Sequence, residues 1–174
     1  MKTLMTFLLV FFSAMASAQI DQIKHLPGYI DFGELTAAYG RPKVKINIGG
    51  TLLKFVSAMA KHEDEEVANL LTNLQGVRVE VYELNDNTGP ALEVVDEVTE
   101  ALEDRKWEAV VSVEDDDDER VRIFVNFDEE KISGLVVMAV SRGDEAVFIN
   151  IIGELDPSQV GKVTEALDLD ININ

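Results

Sequence analysis

A chain of 174 residues with 33 Asp and Glu against 15 Lys and Arg carries a formal net charge of −18 and contains no cysteine. Such a field repels nucleic acid and anionic headgroups, and no basic patch offsets it. The lack of thiols removes disulfides, thiolate zinc sites and cysteine nucleophiles. The acidity reads first as a solubility device, with cationic partners or divalent ions as its other use.

Residues 1–18 read as a secretory signal peptide. Lys2 supplies a positive start, "LMTFLLVFF" (4–12) an apolar run, and Ala16 and Ala18 the small residues before a cleavage ahead of Gln19. The run is shorter than the roughly 20 apolar residues of a membrane span. No Cys lies near position 19, so no acylated N-terminus and no stable membrane anchor are expected. The predicted product is exported, either periplasmic or secreted, and its length suits one hydrophobic core.

Residues 19–42 form a leader with a short helix near 33–39, bounded by Pro27-Gly28 and Gly40-Arg41-Pro42. Tyr29, Phe32 and Tyr39 are the residues expected to pin it onto the body. Residues 43–174 are expected to form one α+β domain. "KVKINI" (43–48) alternates as a strand does. Gly49-Gly50 then turns the chain into a helix over 51–62, with Thr51 as N-cap and Leu52, Phe55, Val56 and Met59 on one face. A second helix is predicted over 64–74, with Val67, Leu70, Leu71 and Leu74 in its stripe. Gly76 separates it from the strand "VRVEVYEL" (77–84).

A third helix carries Leu92, Val95, Val98 and Leu102. Strands follow at 107–114, 119–127, 131–141 and 145–153. The last two are apolar at nearly every position, which marks central strands. Asp156-Pro157-Ser158-Gln159 is a helix start, with an acceptor, a proline and a glutamine in the favoured places, and that helix is predicted to run to Leu167. The tail "LDLDININ" (167–174) alternates again. It reads as a frayed end, or as an edge strand added to this sheet or offered to another.

The first two strands flank a helical segment and could be parallel, whereas the last four read as an antiparallel meander. The predicted fold is a two-layer α+β sandwich, with helices on a mixed, mostly antiparallel sheet of about six strands.

Chemistry is scarce. Asp115 to Asp118 sit at the tip of the 107–114/119–127 hairpin. A calcium loop started there would need Gly where Arg120 stands, and one started at Asp86 meets Thr88 at position 3, where a ligand is required. Two unit charges about 7 Å apart in water repel by only about 0.6 kcal/mol, so a hydrated turn tolerates the run. Arg120 and Arg122 are placed to offset it, and a weak divalent-cation contact is the alternative. His25 and His62 are the only histidines, and "HEDEE" at His62 lacks the second His of a zinc-protease helix. Gly49-Gly50 lacks the remainder of any phosphate-loop pattern and reads as a tight turn. No catalytic, cofactor-binding or metal-ligating residue is singled out.

"LPGYIDFGEL", "KVKINIGGTLLKFV", "LQGVRVEVYEL" and "SGLVVMAV…EAVFINIIGELDPSQV" together resemble a family of exported bacterial proteins catalogued as a domain of unknown function. Its members occur in Bacteroidetes-like and proteobacterial genomes, often behind a signal peptide or a lipoprotein signal. The resemblance runs from Leu26 to Leu167 and is most specific at "NIIGELDPSQV". This chain departs from the lipoprotein-type members by lacking the acylated Cys. The resemblance carries no catalytic residue, and it implies a setting near envelope signalling. The function expected from the sequence is a non-enzymatic periplasmic interaction module with a protein partner in the envelope. A metal-dependent or carboxylate-based hydrolase is the alternative.

Overall fold

The computed structural model describes residues 23–33, 35–61, 65–114, 119–128, 131–141 and 144–155. The signal peptide, Asp115–Asp118, His62, the predicted last helix and the tail all lie outside the described residues. A short helix α1 (Thr36–Tyr39) precedes strand β1 (Val44–Gly49), helices α2 (Gly50–Ala60) and α3 (Glu65–Asn73), and strand β2 (Leu74–Glu83). Helix α4 (Gly89–Asp104) leads into β3 (Glu108–Glu114), β4 (Arg120–Asp128), β5 (Lys131–Val140) and β6 (Glu145–Leu155).

The six strands form one open sheet in the order β1-β2-β6-β5-β4-β3. The meander β3 to β6 is as the turn spacing predicted. A mixed sheet was expected, but every neighbouring pair is antiparallel, β1 and β2 included, with Val44 opposite Val81 and Gly49 opposite Gly76. The reason lies in the helices between them. α2 carries the chain outward and α3 brings it back, so β2 starts beside the point where β1 ended. One helix would have delivered a parallel strand, and two of similar length cancel that displacement.

Strand alternation sorts the buried side chains into two clusters. Tyr82, Phe124, Val136, Met138, Val140 and Phe148 point to one face, where Ala91, Val95, Val98 and Leu102 of α4 join Ile30, Phe32 and Leu35 of the leader. Ile123, Val125, Leu135, Val137, Ile149 and Ile151 point to the other, with Leu53 of α2 and the half-buried Leu70 and Leu71 of α3. Met138 and Phe148 are direct cross-strand partners, both fully buried, as their apolar strands predicted.

Helix α2 departs from expectation twice. Its N-cap is Gly49, without a side-chain hydrogen bond, and Gly50 opens the helix because a Cβ there would come within 3.3 Å of the Gln75 carbonyl oxygen. Its buried residues are Leu53 and Ser57, not the stripe Leu52, Phe55, Val56 and Met59, all of which are exposed. Ser57 Oγ donates to the Ala68 carbonyl at 2.7 Å and lies 2.7 Å from Thr72 Oγ1. That polar seam against α3 fixes the rotation of α2.

Trp107, just before β3, packs the Cη2 end of its indole against Gly134 of β5, where an added Cβ would meet that atom at 2.7 Å. Gly134→Ala should therefore cost about 1–3 kcal/mol by overpacking. At Gly89 a Cβ meets nothing closer than 3.8 Å, and Gly89→Ala should be neutral or stabilising by up to ~1 kcal/mol. Urea melts of the two variants give the comparison, and equal costs would contradict the packing described.

Candidate functional site

The side of β2 that a sequence reader assigns to water is buried. Arg78, Glu80 and Tyr82 alternate with Val77, Val79 and Val81 and lie under the leader, each less than a tenth exposed. Arg78 Nη1 donates to the Tyr29 hydroxyl at 2.9 Å and to the Ile30 carbonyl at 3.0 Å, and Nη2 donates to Glu80 Oε1 at 3.1 Å. Asp31 adds an ion pair at 3.6 Å, and the guanidinium lies 5.5 Å and 5.3 Å from the Tyr29 and Phe32 ring centres. Lys45 Nζ, reaching across from β1, meets Glu80 Oε1 at 3.0 Å, while the Tyr82 hydroxyl donates to Oε2 at 3.0 Å. On β6, Asn150 accepts from the Ile30 N–H and donates to the Gly28 carbonyl, both at 3.0 Å.

Burial opposes the charge of Glu80, but Arg78, Lys45 and the Tyr82 hydroxyl outweigh it and hold the carboxyl below the usual carboxylate range. Burial pushes the Tyr29 phenol up, with Arg78 pulling the other way. A general acid needs a raised carboxyl pKa and access to substrate. Glu80 has the opposite shift and no exposed surface to speak of. Asp31 and Glu80 do converge on one polar cleft of about 460 Å³, yet the Arg78 guanidinium stands between them and uses its donors on both the leader and Glu80. The arrangement is a clamp, tying residues 28–32 to the sheet by ionic and aromatic contacts.

Tyr39 makes a second tie, donating to the Asn87 carbonyl at 2.7 Å and accepting from the Ala91 N–H at 3.0 Å at the start of α4. Phe32 packs on Phe148 at 5.4 Å between ring centres. All three aromatics expected to hold the leader do so.

The model of the domain of unknown function DUF4252 matches residues 39–163. The chain belongs to this family. No curated protein and no solved structure matches it. The region matched to DUF4252 contains all six strands and the Arg78–Glu80–Tyr82 row, whereas Tyr29, Asp31 and Phe32, which complete the clamp, precede it.

Elsewhere, β3 and β4 pair up to Glu114 opposite Arg120, and Asp115–Asp118, expected at the hairpin tip, lie outside the described residues. The arginines expected to balance them are engaged by carboxylates of β3 and α4. Arg120 and Arg122 each lie 2.8 Å from Glu114, and Arg120 also binds Asp96 of α4. Hydrogen bonds from Arg122 and the charge of Arg120 hold Glu114 below the usual carboxylate range. His25 is exposed in the leader. Among the described residues, no group of three or more His, Cys, Asp or Glu could hold a metal ion, and no helix is long and apolar enough to cross a membrane.

One surface feature was missed by periodicity. Phe55 and Met59 are each 62% exposed, and with Leu52 and Val56 at helical spacing they make an apolar strip along α2. Residues 35–62 contain no acid and five Lys and Arg, Lys54 and Lys61 of α2 and its end among them. In a chain so acidic, that acid-free run was a signal readable from the sequence.

Proposed function

We propose that this protein is a non-enzymatic interaction module that works in the periplasm or outside the cell, and that the exposed face of α2 is its partner surface. The observation that carries the reading is the strip Leu52, Phe55, Val56 and Met59, left in water by a helix whose rotation is fixed by Leu53 and Ser57. An isolated exposed apolar residue needs no explanation, but a contiguous strip on one helix marks an interaction site. The flanking Lys54 and Lys61 favour a partner that is apolar at the centre and acidic at its rim. Envelope signalling is the setting we propose for it, consistent with the secretory character of residues 1–18. The lowered pKa of Glu80 and its enclosure weigh against the hydrolase alternative.

The test is capture of partners from the envelope of the native host by the mature protein, alongside Phe55→Ser/Met59→Ser. Both side chains are exposed, so the double variant should melt within a few degrees of the parent while losing the captured partner. A large loss of stability would mean the strip is core, and unchanged capture would move the partner surface elsewhere.

A further inference from the structure

The leader is held by its backbone. Each carbonyl from Pro27 to Ile30 accepts from a side chain of the body. Arg105 donates to Pro27 at 2.8 Å and to Tyr29 at 3.3 Å, Asn150 to Gly28 at 3.0 Å, and Arg78 to Ile30 at 3.0 Å. Asn150 completes the set by accepting from the Ile30 N–H at 3.0 Å. None of these bonds reads a leader side chain. The three gripping residues come from separate elements, since Arg78 and Asn150 are direct partners across β2 and β6 and Arg105 ends α4. Asn150 is fully buried between Ile149 and Ile151, where an amide is costly unless both of its functions are matched.

The side chains of the segment enter the body in alternation. Gly28, Ile30 and Phe32 are buried, whereas Asp31 and Gly33 are exposed. At Gly28 a Cβ would come within 3.2 Å of Ile152 Cγ2 and of the Ser133 carbonyl oxygen. Phe32 rests on Phe148, and Asp31 meets Arg78 at 3.6 Å beside a cleft that Lys45 also lines. Every gripping residue falls inside the region matched to DUF4252, and the segment they hold lies before it. We propose that this groove is a peptide-binding site, filled within the chain by residues 27–32, and that an extended segment of a partner protein displaces the leader from it. That segment carries an aliphatic residue, an acid and an aromatic residue two, three and four places after a glycine.

The grip fixes the class of ligand. Extended peptides are held by main-chain hydrogen bonds, which give affinity, and by pockets for alternate side chains, which give specificity. Here the glycine place admits no side chain, the acid faces Arg78 and Lys45, and the aromatic ring has Phe148 as its seat. A foreign segment competes with a tethered one, whose effective concentration is on the order of millimolar. The leader of a second copy has the right sequence, but it must approach against a like charge of −18 on each chain. The groove is independent of the surface on α2, a helix that packs on the opposite face of the sheet.

The probe is the acetylated peptide "LPGYIDFGEL" (26–35) with a fluorophore, followed by anisotropy against the full mature chain. Phe32→Ser in the chain withdraws the leader's aromatic anchor and leaves the groove intact. This variant should bind the probe at least roughly tenfold more tightly than the parent does. Arg105→Ala, added to Phe32→Ser, should weaken binding by roughly three- to tenfold, because both of its carbonyl contacts go. A probe with Tyr29→Ser, Ile30→Leu and Asp31→Glu should bind within roughly threefold of the first, since the backbone carries the grip. One with Gly28→Leu should not bind. Loss of binding by the first altered probe would show that the groove takes its own leader alone and would overturn the partner. Binding of the Gly28→Leu probe, or of no probe, would overturn the site. Dimers of Phe32→Ser without probe would overturn the proposal in favour of leader exchange between copies. Should thermal melts show Phe32→Ser unfolded, the parent decides. Probe at millimolar concentration should then speed tryptic release of its leader at Lys24, and an unchanged rate would overturn the proposal.

Discussion

Replacing Arg78 by methionine should cost about 3–5 kcal/mol, because it removes one partner of a buried ion pair and leaves the other enclosed. Glu80 is 2% exposed and would keep only Lys45 and the Tyr82 hydroxyl. The Tyr29 hydroxyl and the Ile30 carbonyl would lose their donor as well. The loss should depend on pH in a defined direction. In the parent protein the folded pKa of Glu80 lies below its ordinary value of 4.5. Its contribution is therefore complete above the unfolded pKa and is lost as pH falls through the folded one. Without Arg78, burial, already the largest single influence on Glu80, is opposed only by Lys45 and the Tyr82 hydroxyl and should raise the folded pKa. The variant then gains stability relative to the parent as acid protonates Glu80. Urea melts from pH 7 down to pH 4 should show the gap between the two proteins narrowing. A gap that stays constant would mean that Glu80 does not carry the cost. The double variant Arg78→Met/Glu80→Leu should recover much of the loss, since replacing both members of a buried pair by apolar groups is commonly near neutral.

The clamp also shows where sequence reading stops. "VRVEVYEL" announces a strand with Val77, Val79 and Val81 on one side, and this is correct. Period two cannot say that the polar side is covered too, because the cover is a leader some fifty residues away, brought there by Phe32, Asn150 and Tyr39. The readable hint was the choice of residues. Arg, Glu and Tyr in one row can satisfy one another when enclosed, whereas an outward row has no such requirement. The β1–β2 direction failed for a related reason. Pattern identifies two helices between the strands, but only the turn between them decides whether they continue or reverse. α2 is the clearest case. Its apolar stripe was placed on one helical face, and the structure instead buries Leu53 with Ser57, whose hydroxyl finds Ala68 and Thr72 on α3. A hydrophobic period locates the apolar face of a helix without saying what it faces. The β3–β6 meander, by contrast, was legible because short turns allow only adjacent antiparallel strands, and β5 and β6 are apolar enough to require cover on both sides.

Phe148→Ala should be among the most damaging single truncations in the core, at about 3–5 kcal/mol from lost transfer energy and the cavity left behind. Phe148 is fully buried on β6, opposite Met138 on one side and Glu80 on the other. Its ring is also the surface on which Phe32 rests. Two consequences follow from that position. The global loss is a large share of the roughly 5–15 kcal/mol that a small domain has in total, so the variant should unfold at much lower urea. The leader should also loosen before the sheet does, because Phe32 loses its ring partner while Arg78 and Asn150 still hold the neighbouring backbone. Limited proteolysis under native conditions should then cut first at Lys24, which is exposed in the leader, and release the N-terminal peptide while the remainder persists. Phe127→Ala provides the comparison. That ring is 41% exposed on β4, and its removal should shift stability by no more than about 0.5 kcal/mol and leave the leader protected. If the two truncations cost the same, or if Phe148→Ala unfolds the chain without prior cleavage at the leader, then Phe148 does not couple the leader to the sheet. The attachment would then rest on the hydrogen bonds of Arg78, Asn150, Arg105 and Tyr39.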